Sequence, residues 1–230
     1  MERTTRRIAR RRVRRRYAIA AQIGVLLYIA VDVVLQFLPP YYSPISEAES
    51  NLAVGPYGWI MNLNFLGRAV LSFCAIAAIR LSGSPSSVRT VGLVLLGLAG
   101  TLSGLLAFFP TDVADPSTSA DGHGALAVTP TGTVHLVLAT VGFVAALASF
   151  VLLTLWLRRE AISDSADWRP VYRRAVVMLI VAAGGLAALA VSIVWVPQVL
   201  GLAERICLLG ILGWVYLVCD GIRTRSGFDA

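Results

Sequence analysis

The chain has 230 residues, of which 57% are hydrophobic and only 14% are charged, and its mean hydropathy is +0.75. A typical soluble domain has about 25% charged residues. This composition excludes a water-soluble globular enzyme, a disordered chain and a disulfide-linked secreted domain. It indicates a protein that is embedded largely in a membrane.

Positive charge is concentrated at the N-terminus. All 20 basic residues are arginines, and nine of them lie in residues 1–16, which carry a net charge of +8. The aromatic residues and the foldable domain that are typical of nucleic-acid binding do not accompany this run, so no nucleic-acid partner is predicted. Residues 1–16 instead predict a cytoplasmic tail that orients the chain and attracts anionic lipids. The exclusive use of arginine favours a bacterial source.

Six segments are long and apolar enough to cross a membrane as α-helices, which requires about 20 residues each. They predict an all-α transmembrane bundle over residues 17–219, followed by a cytoplasmic C-terminal tail at residues 220–230. The predicted spans are residues 17–38, 59–79, 91–109, 135–157, 175–196 and 198–218.

The distribution of arginine predicts the orientation of the bundle. With the N-terminus inside, 18 of the 20 arginines lie on inner segments and none lies in an outer loop. The other two, Arg68 and Arg205, lie within spans. This asymmetry predicts that both termini are cytoplasmic. The first span is longer than the hydrophobic region of a signal peptide, so we expect it to be retained in a multi-pass protein of the cytoplasmic membrane.

Two stretches of sequence carry a resemblance to a known family. The first has Ser-Pro-Ile-Ser at residues 43–46 and Gly-Pro-Tyr-Gly-Trp-Ile-Met-Asn at residues 55–62. The second has Phe-Pro-Thr-Asp at residues 109–112 and Thr-Gly-Thr-Val-His at residues 131–135. Together with the six spans and the basic N-terminus, these motifs resemble the DUF998 family of prokaryotic membrane proteins. The resemblance implies the fold and the membrane location, and it implies no known activity.

Ionisable residues within the spans lie in the outer half of the membrane or near its centre. They are Asp32, Arg68, Glu204 and Arg205. Charges at this depth usually face the interior of a bundle, and they need partners there. We therefore predict a buried charge network in which Arg68 contacts Asp32, Glu204 or a bound anion.

Span two carries a polar stripe. Residues spaced by three or four positions share one helix face, and here they are Tyr57, Met61, Asn64, Arg68 and Ser72. Such a stripe serves either as a clamp between helices or as the wall of a ligand pocket, and the sequence leaves both interpretations open.

A pocket in this position would bind a lipid head group or a small anionic ligand. The candidate ligand-binding residues are Asn62, Asn64, Arg68 and Arg205.

A second candidate site lies where spans three and four meet the outer surface. Asp112 and His135 are a carboxylate and an imidazole at the ends of adjacent spans, and such a pair can act as a general acid and base. The alternative is structural, with Asp112 capping a loop and His135 capping the start of span four. No nucleophile lies in a recognised motif.

Metal and cofactor sites are not predicted. The chain has only two histidines, so a three-histidine zinc site is excluded, and the sequence has no phosphate-binding or dinucleotide-binding motif. The weakest alternative is a mixed metal site built from Asp112, Asp121, His123 and His135.

Three functions follow from these observations. The first is a non-catalytic binding or accessory protein with a polar pocket in the outer half of the bundle. The second is a lipid-modifying enzyme that uses Asp112 and His135. The third is a small transporter, for which Gly184-Gly185 is the one candidate helix break. The expected partners are membrane lipids, with a protein partner or a second copy of the chain left open.

Overall fold

The computed structural model describes residues 2–39, 42–113, 129–163 and 168–224. Within these ranges the fold is all-α and contains no strand. Short 3-10 turns lie in the connections at Glu49–Ala53, Leu106–Phe108 and Pro197–Val199. The six helices are α1 (Glu2–Leu35), α2 (Gly58–Arg80), α3 (Ser87–Leu105), α4 (Pro130–Ser163), α5 (Trp168–Val194) and α6 (Leu200–Thr224).

Each of the six helices contains a stretch that is long and apolar enough to cross a membrane. This confirms the predicted fold class. Most helices begin before the predicted spans, because a regular helix extends past its apolar stretch into polar sequence, whereas α1, α3 and α5 end a few residues earlier than predicted. The largest difference is at α1, which begins at Glu2, so the arginine-rich segment is helical and continuous with the first span. The division of the chain into a tail and a membrane domain stays a prediction.

Consecutive helices pack against each other and α6 packs against α1, so the helices form a closed ring of neighbours. Helix α6 is the most buried, with 56% of its apolar stretch inside the protein against 17% for α5. The backbones of α5 and α6 approach closely at Gly185, where a Cβ atom would lie 2.3 Å from the Cys207 nitrogen. Helix α5 continues through Gly184 and Gly185, so neither glycine breaks it; Gly185 permits the close packing against α6, whereas the position of Gly184 is open space.

The connections α1–α2, α3–α4 and α5–α6 lie at one end of the bundle, which we call the far end. The opposite end, which includes the start of α1 and the end of α6, is the near end. At the near end, Asp220 accepts hydrogen bonds of 2.6 Å from Arg223 and 3.4 Å from Gln22. The ionisable residues predicted to form a network all lie toward the far end.

Candidate functional site

Arg68 on α2 reaches into the bundle, and its side chain is only 13% exposed. Its Nε group donates a hydrogen bond to the Ser103 hydroxyl on α3, and its Nη1 group donates one of 3.0 Å to the Tyr28 hydroxyl on α1. The Tyr28 hydroxyl donates in turn to Oε2 of Glu49 at 2.8 Å. That carboxylate oxygen also lies 3.9 Å from Nη1 of Arg68. Arg68 therefore joins three helices and the loop between α1 and α2.

Arg205 on α6 also binds the loop between α1 and α2. Its Nη1 group donates hydrogen bonds to the carbonyl oxygens of Pro44 at 2.9 Å and Glu47 at 3.2 Å. Its Nη2 group donates to the Tyr42 hydroxyl at 2.6 Å and lies 3.8 Å from Oδ1 of Asp32. With these contacts, both terminal amino groups of the guanidinium are engaged by the protein itself.

The loop between α1 and α2 lies directly on the start of α6. A Cβ atom at Gly201 would be 2.1 Å from the Glu47 carbonyl oxygen, so glycine permits this approach. The Leu202 amide donates to the Ile45 carbonyl at 2.9 Å, and the Glu49 amide donates to Oε2 of Glu204 at 2.7 Å. The Ser-Pro-Ile-Ser motif at residues 43–46 is therefore a docked segment.

Five ionisable side chains make up this far-end charge cluster. They are Asp32, Glu49, Arg68, Glu204 and Arg205. Three are carboxyl groups and two are guanidinium groups, so the cluster has one acid in excess of its arginines. Burial raises the pKa of Glu49; Arg68 opposes this shift, whereas Asp32 and Glu204 add to it. A proton on Glu49 would make the cluster neutral.

The acid predicted to contact Arg68 was Asp32 or Glu204, and neither contacts it; the alternative of a bound anion stays a prediction. The acid beside Arg68 is Glu49, whereas Asp32 pairs with Arg205, and Glu204 binds a backbone amide. Sequence reasoning missed Glu49 because it lies in a loop of about 20 residues, outside every predicted span. The loop contains two glutamates, Glu47 and Glu49, which the sequence offers as candidate acids. Only the tertiary structure shows which of them faces the interior.

The polar stripe on α2 faces the interior from Met61 to Ser72, and Tyr57 at its start is 42% exposed. The buried amide of Asn64 donates to the Tyr28 carbonyl at 3.1 Å, which joins α2 to α1. Asn62 lies on another face of α2, and its side chain forms no hydrogen bond with any residue that the structure describes. Of the four candidate ligand-binding residues, Arg68 and Asn64 share the stripe, Arg205 joins the same cluster, and Asn62 lies apart.

A cavity of about 60 Å³ lies between α2, α3, α4 and α6, directly beside Arg68. Arg68, Ser72 and Ser103 are its polar lining residues, and the remaining walls are aliphatic, aromatic or glycine. Phe150 on α4 forms part of this wall and stacks on Trp214 of α6, with 4.4 Å between the ring centroids. The cavity is therefore lined mainly by apolar groups, with one guanidinium and two hydroxyl groups among them.

Asp112 and His135 serve the junction between α3 and α4. The carboxylate of Asp112 accepts hydrogen bonds from the Thr129 amide at 2.9 Å and the Thr129 hydroxyl at 2.7 Å. Thr129 caps α4, because its hydroxyl accepts the Gly132 amide at 3.0 Å. Nδ1 of His135 lies 2.6 Å from the Phe109 carbonyl oxygen and makes no hydrogen bond to Asp112. The two residues lie at the same junction without forming a direct pair.

No group of three or more potential metal ligands is close enough to hold a metal ion among the described residues. Of the alternative mixed metal site, Asp121 and His123 lie outside the described residues, whereas Asp112 and His135 make the contacts given above.

Six apolar helices enclosing a polar cluster and a cavity define a multi-pass membrane protein. Over residues 22–220 the sequence matches the DUF998 family, described as "Protein of unknown function (DUF998)", and the chain belongs to this family. This match confirms the resemblance carried by the sequence motifs. Comparisons with curated proteins and with solved structures find no match.

Proposed function

We propose that this protein is a non-catalytic binding or accessory protein that holds a lipid-like molecule in the cavity between α2, α3, α4 and α6. The observation that carries the proposal is the polarity of the cavity: its walls are apolar except at Arg68, Ser72 and Ser103. An apolar space with a few convergent polar groups is the usual form of a small-molecule site. An aliphatic chain would fill the apolar part, and its polar end would lie at Arg68.

Arg68 has a donor to offer such a ligand. Its Nε and Nη1 groups bind Ser103 and Tyr28, and its Nη2 group has no hydrogen-bond partner among the described residues. Arg205 is less suited to ligand binding, since the docked loop uses both of its terminal amino groups. The proposal therefore rests on Arg68, with Asn64 and Arg205 supporting the surrounding structure.

The two other functions have less support. An enzyme using Asp112 and His135 would need a nucleophile and a direct hydrogen bond between the two side chains, whereas Asp112 hydrogen-bonds Thr129 and His135 lies against the Phe109 carbonyl. A transporter built on a broken α5 has less support because that helix is continuous. The protein would act in the cytoplasmic membrane with its far end outside, and the start of α1 would lie near anionic lipid head groups.

Fluorescence quenching tests the proposal. The protein is placed in phospholipid nanodiscs with Trp59 and Trp195 changed to phenylalanine, since these side chains are 62% and 72% exposed and would report on bulk lipid. The probe is ω-bromoundecanol, whose bromine quenches nearby indole rings. Trp156, Trp168 and Trp214 remain. We expect saturable quenching of part of their fluorescence, because Trp214 contacts the cavity wall through Phe150.

A cavity-filling variant and a matched control make the test specific. Ala146→Leu places extra atoms in the cavity, and Ala148→Leu makes the same change on α4 outside the cavity lining. We expect Ala146→Leu to weaken saturable quenching by about tenfold or more, as the loss of about 1.4 kcal/mol of binding would do. Quenching that never saturates, or equal binding by both variants, would overturn the proposal.

A further inference from the structure

The charges around Arg68 restrict what the cavity can bind. Glu49 lies 3.9 Å from Arg68, and Asp32 lies 3.8 Å from Arg205. Glu204 contributes a third carboxyl group to the cluster through its hydrogen bond to the Glu49 amide. Two guanidinium groups therefore face three carboxyl groups. Whether or not one of the acids holds a proton, the cluster has no net positive charge to offer an anion.

We infer that the ligand is a single aliphatic chain with an uncharged oxygen at its head, such as a long-chain alcohol or ester. This inference rests on the proposed function and names the ligand class for the same cavity. A neutral hydroxyl or ester oxygen can accept a hydrogen bond from Nη2 of Arg68 without adding negative charge. A phosphate would bring negative charge into a buried site that already has an excess acid, which is unfavourable in a medium of low dielectric constant.

The shape of the cavity favours one chain over two. Its lining residues on α4 run from Leu138 to Phe150, which is about 18 Å at 1.5 Å per residue. Its volume is about 60 Å³ on a scale where one water occupies roughly 10–15 Å³. A volume this small, bordered by residues spread along α4, favours one extended hydrocarbon segment. The two chains of a diacyl phospholipid would not fit side by side.

Head-group selectivity tests this inference. The nanodisc assay compares ω-bromoundecanol and methyl ω-bromoundecanoate with ω-bromoundecyl phosphate, with each affinity expressed per mole fraction of probe in the bilayer. We expect the affinity of each neutral probe to be at least about tenfold higher than that of the phosphate probe, because burying the charge of the phosphate is unfavourable. The alcohol and ester arms also show which neutral head is preferred. Saturable binding in which the phosphate is equal or tighter would overturn the inference while leaving the proposed function intact.

A charge-changing variant connects the selectivity to the cluster. Asp32→Asn combined with Glu49→Gln leaves only Glu204 against two arginines, so the cluster becomes positive. We expect the preference for neutral probes to fall by about tenfold or more, since the phosphate is now attracted. The control Glu2→Gln with Asp220→Asn removes two negative charges at the near end. Unchanged selectivity in a far-end variant that still binds the alcohol would contradict the inference. If that variant does not fold, the inference is tested by the comparison of the three probes on the protein with its native charge cluster.

Discussion

Nη1 of Arg205 donates a hydrogen bond of 2.9 Å to the carbonyl oxygen of Pro44, across 161 positions of sequence. This contact ties the start of α6 to the segment that carries the Ser-Pro-Ile-Ser motif. A buried guanidinium in a membrane protein is expected to have a partner. Here most of the hydrogen bonds of the Arg205 guanidinium go to backbone carbonyl groups. The Ser-Pro-Ile-Ser motif therefore has a structural role at the far end.

Replacing Arg205 with alanine should release the docked loop. The carbonyls of Pro44 and Glu47 would lose their donor, and Asp32 would lose its nearby positive charge. We expect faster amide hydrogen exchange over residues 44–54 and a free energy of unfolding lower by about 3 kcal/mol. Hydrogen exchange with mass spectrometry measures the first effect. Arg80→Ala, at an exposed site in the last turn of α2, should leave the loop unchanged.

Replacing Arg68 with alanine should destabilise the bundle above about pH 8, where Glu49 is ionised and would remain buried without its arginine. We expect a loss on the order of 3 kcal/mol. A double variant that adds Glu49→Gln should recover part of it, since the orphaned acid is gone. Thermal unfolding in detergent measures both. Asp32→Asn serves as the comparison, because Asp32 pairs with Arg205. Rescue by Asp32→Asn in place of Glu49→Gln would show that the pairing is different.

Stability should depend on pH through Glu49. Burial raises the pKa of Glu49 from 4.5 to about 8 in the folded protein. Because protonated Glu49 is favoured by folding, its stabilising effect is complete below about pH 4.5 and is lost as the pH rises through 8. The midpoint of thermal unfolding should fall over this range, and Glu49→Gln should flatten the profile. An identical slope in the variant would assign the pH dependence to other groups.

Thr129→Val should destabilise the start of α4. The substitution removes the hydroxyl that caps the helix and binds Asp112, and loss of a cap typically costs about 1 kcal/mol. The matched control is Thr133→Val, since the Thr133 hydroxyl bonds only the Thr129 carbonyl within the helix. The midpoint of thermal unfolding provides the comparison. Equal midpoints for the two variants would contradict the claim that the Thr129 hydroxyl, by capping α4 and binding Asp112, stabilises the junction between α3 and α4.

The orientation of the bundle is accessible to cysteine labelling. Single cysteines at Ser46 and Ser87, both exposed and on opposite ends, report on the two sides of the membrane. We expect an impermeant maleimide to label position 46 in intact cells and position 87 only after permeabilisation, because arginines favour the cytoplasmic side. Labelling in the reverse order would invert the predicted topology. The native cysteines to be replaced by alanine are Cys74, Cys207 and Cys219.

Much of the candidate site could be anticipated from single helices. The spacing of Met61, Asn64, Arg68 and Ser72 placed them on one face of α2, and that face is buried or nearly so. Asn62, also proposed for ligand binding, falls away from this face because it is only two residues from Asn64. Helical periodicity thus identified the inward stripe, whereas grouping residues by polarity alone did not.

The partners within the site required information from distant parts of the chain. Glu49 reaches Arg68 only because the loop folds over the end of the bundle, where Arg205 and the Glu204 carboxylate hold it. Asp112 and His135 illustrate the same limit, since closeness at the ends of α3 and α4 did not make them a pair. Asp112 hydrogen-bonds Thr129, and His135 lies against the Phe109 carbonyl.

The sequence by itself determined that the chain is a six-helix membrane protein, because the length and polarity of each apolar stretch reflect the thickness and dielectric character of a bilayer. These are local properties that need no knowledge of neighbouring helices. Tertiary structure alone decided which charges meet and where the cavity lies. Those features depend on the docking of a loop onto α6 and on the packing of α2, α3, α4 and α6, contacts between residues far apart in sequence. Hydropathy and helical spacing carry no information about them.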